Sequence, residues 1–250
     1  PGTSILIPDT APGRAVLVGR TAGYALVVQG RIQSGAGSRA HKKTTSRVYN
    51  TLLERGLDPA NIVYLAYLDT QNPDDLSQPA PSLAALSSAM DDLGAKMKTS
   101  PAPFYLVLVD HGWPGQFHIS ENEILTPTIL AGMLDSLETA ADVLTNPDDK
   151  ERILFLGYCF SGSFIGNLVA DGRVILASAA SNELSYKGLR EADGVRVGEY
   201  FIEELFLELG RGSDIRTGFE VATEKTERLT RPRQIASGPP FFDRARQHPL

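Results

Sequence analysis

The sequence contains one cysteine and no long apolar run. Cys159 therefore cannot form an intramolecular disulfide bond, and the few His residues show no metal-ligand spacing, so we expect neither a disulfide framework nor a metal centre. No apolar run approaches the roughly 18 residues that span a bilayer, so we expect no membrane-spanning segment.

An excess of positive charge is also lacking. The chain has 24 Lys and Arg residues against 30 Asp and Glu residues, for a net charge of −6. This balance argues against a partner as strongly anionic as nucleic acid. With 250 residues, of which 42% are hydrophobic, the chain is long enough to bury its own core, and we expect no cofactor.

The sequence begins with Pro1, and no basic-then-apolar signal segment follows it. We expect a piece of a longer product, with any targeting signal upstream of Pro1. The sequence therefore assigns no compartment and leaves a secreted or cell-surface location open.

Short apolar strands alternate with amphipathic helices along most of the chain. The pattern predicts buried strands at residues 24–29, 61–66, 104–109, 152–158 and 173–178. It predicts helices at residues 41–55, 82–97, 126–143, 163–170, 199–209 and 214–229. This order is typical of an α/β fold, a three-layer αβα sandwich with a mostly parallel central sheet. One domain, residues 24–230, would lie between an N-terminal extension, residues 1–23, and a Pro- and Gly-rich tail, residues 231–250.

The chain's reactive residues follow two of the predicted strands. Asp110-His111-Gly112 comes after one strand and Cys159 after another, and ligands of open α/β sheets bind at these strand ends. A thiol becomes an effective nucleophile when an imidazole can take its proton. The N–H groups of Gly112 and Cys159 are candidate donors to an oxyanion. The alternative is that Cys159 is an inert core residue, the commoner fate of a lone cysteine.

Several blocks of the sequence resemble one family. VLVDHG and LGYCFSGSF are similar to the His and Cys blocks of legumain-like cysteine peptidases, in the caspase/haemoglobinase superfamily. YALVVQG, RVYNTLLERGLDPANIVYL and ILASAASNELSY resemble further blocks in the same order, so the resemblance covers about residues 24–230. The 48-residue separation of His111 and Cys159 is close to the roughly 50 residues found in caspases.

The resemblance implies a caspase-like sandwich and peptide-bond hydrolysis by a dyad of His111 and Cys159, with Gly112 at the oxyanion position. Substrate-pocket positions then fall at Arg39, His41, Gly157, Ser178 and Glu199. Gly157 stands where the family commonly has an acid, and Ser38 stands where it has an Asn proposed to orient the histidine. Glu199 would favour a basic residue before the scissile bond. Each pocket residue also has an ordinary structural explanation, such as a solvated loop charge or a helix-end polar group.

The leading hypothesis is a cysteine endopeptidase that acts on a peptide or protein through a thioester. The alternatives are a transpeptidase or transamidase on the same site, and an inactive peptide-binding scaffold. Two polar segments, residues 69–81 and 181–197, are predicted exposed loops. Lys187, Arg190 and Arg196 make the second loop a candidate for self-processing by an enzyme that prefers basic residues.

Overall fold

The structure, a computed structural model, describes residues 5–8, 15–18, 21–32, 38–67, 78–237 and 246–250. Of residues 5–8, 15–18 and 232–237 it describes the backbone alone. The predicted loop at residues 69–81 lies mostly outside the described residues.

Ten strands are described. They are β1 (Ile5–Pro8), β2 (Ala15–Val18), β3 (Tyr24–Gln29), β4 (Ile62–Leu65), β5 (Phe104–Val109), β6 (Gly112–Trp113), β7 (Gln116–His118), β8 (Ile124–Leu125), β9 (Arg152–Gly157) and β10 (Arg173–Ala177). Five of them form an all-parallel central sheet in the order β10-β9-β5-β3-β4. Strands β6, β7 and β8 form a small antiparallel sheet soon after β5.

Helices cover both faces of the central sheet. They are α1 (Ser38–Glu54), α2 (Leu83–Thr99), α3 (Pro127–Ala140), α4 (Ile165–Leu168), α5 (Tyr200–Gly210) and α6 (Ile215–Ser237). One core packs alternate strand residues such as Leu26 and Leu106 against α2 and α3. The other packs Val27 and Val107 against α1, α5 and α6. The alternation along each strand fills both cores, which confirms the predicted three-layer sandwich.

Polar side chains cap the starts of three helices. The Ser82 hydroxyl accepts a hydrogen bond from the Ala85 N–H at 3.0 Å, and Thr126 accepts one from Ile129 at the start of α3. Glu199 is the N-cap of α5, where it accepts a hydrogen bond from the Ile202 N–H. Each cap satisfies an amide that has no partner within the helix.

The structure differs from the sequence prediction at both ends of the chain. The predicted N-terminal extension, residues 1–23, contains two antiparallel strands, β1 and β2, among its described residues. Helix α6 continues to Ser237, so the predicted end at residue 229 was wrong, and residues 231–237 are helical. Pro232 suggested the earlier end because proline usually breaks a helix interior. Among the described residues, no helix is long and apolar enough to cross a membrane.

Candidate active site

His111 and Cys159 follow neighbouring strands at the same edge of the central sheet. In the parallel register of β5 and β9, Val109 is paired with Gly157, two residues before His111 and Cys159 respectively. The Asp110 N–H continues this ladder with a hydrogen bond to the Gly157 carbonyl. The two predicted reactive residues therefore leave the sheet side by side, and both remain partly accessible to solvent.

Gly112 allows the two strand ends to approach closely. A Cβ at this position would lie 2.6 Å from the Cys159 carbonyl oxygen and 2.5 Å from Cδ2 of Tyr158. The Gln116 carbonyl oxygen would be 3.0 Å away. Backbone atoms supply two of these contacts and cannot rotate away, so only glycine fits here.

The Cys159 sulfur lies against Ser185, which belongs to the irregular segment after β10. The Ser185 N–H donates to Sγ at 3.3 Å, and the Ser185 carbonyl and hydroxyl oxygens are each 3.6 Å from Sγ. Burial raises the pKa of the Cys159 thiol, while the hydrogen bonds from Ser185 act in the opposite direction. The sequence predicts a helix at residues 163–170, and the positive end of a helix near a thiol would lower its pKa. That helix is one turn long (α4), and burial outweighs it.

A buried carboxylate connects two histidines behind the thiol. Asp110 Oδ2 is 2.9 Å from His41 Nδ1, and Asp110 Oδ1 accepts a hydrogen bond from the His111 backbone N–H at 2.6 Å. The same oxygen is 3.9 Å from His111 Nε2. The two imidazole rings meet edge to face, with centroids 5.0 Å apart. Asp110 is thus placed to hold the His111 backbone through one oxygen and the His41 ring through the other.

These three side chains also place ligand atoms close together. His41, Asp110 and His111 each place one ligand atom within 4.8 Å of the other two. The spacing of these residues in the sequence did not indicate such a cluster. Imidazole and carboxylate are ligands that suit zinc. The hydrogen bond between His41 and Asp110 accounts for their contact without a metal.

Lys187 brings a positive charge to the same place. Burial lowers the pKa of its ammonium group, and the charges of Asp110 and Cys159 oppose that shift. Lys187 lies two residues after Ser185, whose N–H donates to the sulfur. A cation beside the sulfur favours the thiolate form.

The residue after the thiol has a left-handed backbone. Phe160 has φ 61° and ψ 20°, a conformation that bulky residues rarely adopt, and its ring is buried. The Phe160 N–H is held by the Glu183 carbonyl oxygen at 2.8 Å. The ring of Trp113 stacks on Phe160 at a centroid distance of 6.5 Å and is itself 54% exposed. Strained backbone of this kind is common at functional sites.

Three of the predicted pocket residues take different positions around the dyad. His41 is buried against Asp110 and His111, whereas Arg39 is exposed in the first turn of α1. Lys43 and, more weakly, Arg39 lower the pKa of Asp193. Gly157 is buried under α5, where an added Cβ would lie 2.6 Å from Cγ1 of Ile202. Ser38 accepts hydrogen bonds from the side-chain amide of Gln29, through its carbonyl and hydroxyl oxygens.

Ser178 and Glu199, the other two predicted pocket residues, are brought together by Gln247. The Gln247 amide donates to the Ser178 carbonyl oxygen at 2.8 Å and to Glu199 Oε1 at 3.1 Å. Glu199 is 2% exposed, and burial raises its pKa from 4.5 to about 7 against opposing hydrogen bonds from Ile202 and Gln247. The Glu199 charge in turn raises the pKa of Cys159.

Sequence reasoning missed three residues of this site. Ser185 and Lys187 lie in a segment interpreted as a mobile surface loop, and Gln247 lies in the predicted tail. The one usable signal was the polar NELSYK stretch directly after the last strand, at the sheet edge where ligands bind. Gln247 gave no signal in its local sequence.

A cavity of about 390 Å³ lies at the opposite end of the sheet and is separate from these residues. Its lining includes Tyr105, Phe155, Phe206, Arg55 and Asp214. Tyr105 lies near the start of β5, whereas His111 follows its end. Neither His111 nor Cys159 lines this cavity.

The chain was compared with models of known protein families and with curated proteins, and no match was found in either comparison.

Proposed function

We propose that the chain is a cysteine endopeptidase that uses His111 and Cys159 as a catalytic dyad. The pairing of Val109 with Gly157 carries the proposal, because it sets the imidazole and the thiol on adjoining strand ends. The resemblance of the surrounding blocks to legumain-like peptidases agrees with it. Both residues retain solvent access, as a site for a polypeptide substrate requires.

In the proposed reaction, Cys159 Sγ attacks the scissile carbonyl carbon while His111 takes the thiol proton. The carbonyl oxygen gains negative charge, and the N–H groups of Gly112 and Cys159 stabilise it. The carbon–nitrogen bond then breaks, and His111 gives the proton to the departing amine. Water hydrolyses the remaining thioester and restores the thiol.

The neighbouring groups have supporting roles in this scheme. Asp110 holds the His111 backbone and stabilises the imidazolium that forms. Lys187 favours the thiolate through its charge. The Ser185 N–H donates to the sulfur and keeps it oriented.

One observation favours the inactive peptide-binding scaffold as the second candidate. Three atoms of Ser185 lie near the Cys159 sulfur, and burial raises the pKa of the thiol. The thiol is therefore mostly protonated at neutral pH. In an enzyme, His111 would take the thiol proton during attack and so generate the thiolate, whereas a binding protein needs no thiolate.

Hydrolysis of a diverse peptide mixture, followed by mass spectrometry, tests the proposal. Cleavage by the wild-type protein and its loss in Cys159→Ala are expected. Equal product patterns for the two proteins would contradict the proposal. Addition of hydroxylamine to the reaction then separates hydrolysis from transfer, since a transferase would give mainly the hydroxamate product.

Self-processing in residues 181–197 stays a prediction. Arg190 is exposed near a turn closed by its side chain and the Gly194 carbonyl oxygen, whereas Lys187 is half-buried beside the thiol. Of these two, Arg190 is therefore the more accessible to a second molecule. Identical fragment patterns for wild type and Cys159→Ala after incubation would discard self-processing.

A further inference from the structure

Residues 246–250 pack beside the proposed site as an added edge of the central sheet. Leu250 exchanges two backbone hydrogen bonds with Ala177, the last residue of β10, at 2.7 and 2.8 Å. The next residue after Ala177 is Ser178, one of the predicted pocket positions. This pairing places the segment next to the end of β10.

Gln247 is the residue of this segment that turns inward, and it has no solvent exposure. Its side-chain oxygen accepts from the Tyr186 N–H at 3.0 Å. Its side-chain nitrogen donates to the Ser178 carbonyl oxygen and to Glu199 Oε1. Both donor hydrogens and the acceptor of the amide are therefore used, as expected for a group with a fixed position.

Contacts on both sides hold Gln247 in place. The His248 backbone N–H donates to Glu183 Oε2 at 2.7 Å, and its ring contacts the other oxygen of the same carboxylate. Arg246 forms an ion pair with Glu227 of α6 at 2.7 Å. These contacts indicate that residues 246–250 belong to the folded domain.

The position of Gln247 matters for Cys159 because its amide joins Tyr186, next to the residue that contacts the sulfur, to Glu199. Tyr186 directly follows Ser185, which contacts Cys159, and lies on one side of the amide. Glu199, whose charge is felt by Cys159, lies on the other side. Glu199 Oε2 is occupied by the Ile202 N–H, so Oε1 is the oxygen that Gln247 covers.

We propose that Gln247 is a specificity-determining residue, whose amide takes the place beside Glu199 that the charged end of a basic substrate side chain would need. The site then does not select a basic residue before the scissile bond, although it contains a buried acid. This inference rests on the proposed function, and it predicts that a smaller residue at position 247 creates a preference for basic residues.

Paired substrates test the inference. Two peptides are compared that differ at one position, Arg or its neutral isostere citrulline before the scissile bond. In Gln247→Ala, the ratio of kcat/KM for Arg over citrulline is expected to rise about tenfold above wild type, since a desolvated charge pair forms. Gln247→Met fills a similar volume and is expected to keep the wild-type ratio, as is Arg246→Ala, which loses the ion pair with Glu227 alone. A ratio within twofold of wild type in folded Gln247→Ala overturns the inference.

A binding assay gives a readout that does not depend on activity. Fluorescent 4-aminobenzamidine, which carries an amidinium group, is expected to bind Gln247→Ala but not wild type, Gln247→Met or the double variant Gln247→Ala/Glu199→Gln. Gln247→Ser serves the same purpose if the alanine variant does not fold. If no protein cleaves any peptide, the proposed function fails, and this assay still decides the inference. Equal binding to all variants, or no binding to Gln247→Ala and Gln247→Ser, overturns it.

Discussion

The Cys159 carbonyl oxygen lies 2.6 Å from the point where a Cβ on Gly112 would stand. The strand end that carries the imidazole thus packs closely on the strand end that carries the thiol, against the Cys159 carbonyl and the Tyr158 ring. This contact leaves no room for a side chain at position 112, and it fixes the separation of the ends of β5 and β9 at the site.

Gly112→Ala is therefore expected to lower kcat/KM by about a hundredfold or more, because the β5 and β9 ends must separate and the oxyanion donors move. It should also lower the free energy of unfolding by about 1–3 kcal/mol, as over-packing does. Peptide hydrolysis and urea denaturation measure the two effects. Gly132→Ala in α3, where an added Cβ meets nothing within 4 Å, is the matched control and should be neutral or slightly stabilising. Full activity in Gly112→Ala would contradict the proposed oxyanion position.

The alkylation rate of Cys159 should rise with pH to a midpoint above that of an exposed cysteine, about 8.5. Burial favours the neutral thiol, and alkylation follows the thiolate fraction. Modification by iodoacetamide at a series of pH values from about 6 to about 10, followed by intact-mass measurement, gives the midpoint of this titration. Lys187→Met should move it further upward, because a cation near the sulfur is lost. A midpoint below neutral pH would mean that the resting site is an ion pair.

Asp110→Asn is expected to reduce kcat by about 10–100-fold with little change in KM, since Asp110 contacts both histidines and not the substrate. The buried pair with His41 is lost as well, so the free energy of unfolding should also fall. Asp135→Asn, which loses an exposed ion pair with Arg173, is the control for a general loss of charge. A change confined to KM would indicate that Asp110 acts on substrate binding instead.

Glu199 predicts a pH dependence of stability with a defined sign. Its pKa is about 7 in the folded chain, raised by burial from 4.5, so the native state holds one more proton than the unfolded state between these pH values. The free energy of unfolding should therefore fall as pH rises from 4.5 to 7, by at most about 3 kcal/mol from this group. Below this window the group has no effect, and above it the full destabilisation is present.

Glu199→Gln should remove this part of the slope, whatever its effect on absolute stability. Wild type and Glu199→Gln are compared by urea denaturation at a series of pH values from 4.5 to about 8, which covers the two pKa values of Glu199. An unchanged slope in the variant would show that other groups cause the pH dependence.

Periodicity predicted the sandwich because each buried strand and each amphipathic helix carries its own signal. β3, for example, matches the apolar run YALVVQ, and α2 begins at the Ser82 cap. Pro232 misled the prediction of α6, because a proline in a helix interior is tolerated only by tertiary context that the sequence does not display.

The placement of His111 and Cys159 at one edge of the sheet could be predicted because both residues follow the ends of strands, where topology alone determines their position. The residues that surround His111 and Cys159 could not be predicted in this way. Gln247 reaches Glu199, 48 residues earlier in the chain, from a segment without helix or strand, and Ser185 reaches the sulfur from the irregular segment after β10. Such contacts depend on loop paths and on burial, and neither follows a periodic pattern.

Labelling with a peptide that carries a thiol-reactive electrophile tests the central claim most directly. The account predicts one adduct per chain, located on Cys159 by peptide mapping, and a rate at least about tenfold slower in His111→Ala. The same electrophile without its peptide should react slowly with both proteins. A folded wild-type protein that forms no adduct, or that reacts no faster than His111→Ala, would contradict the account.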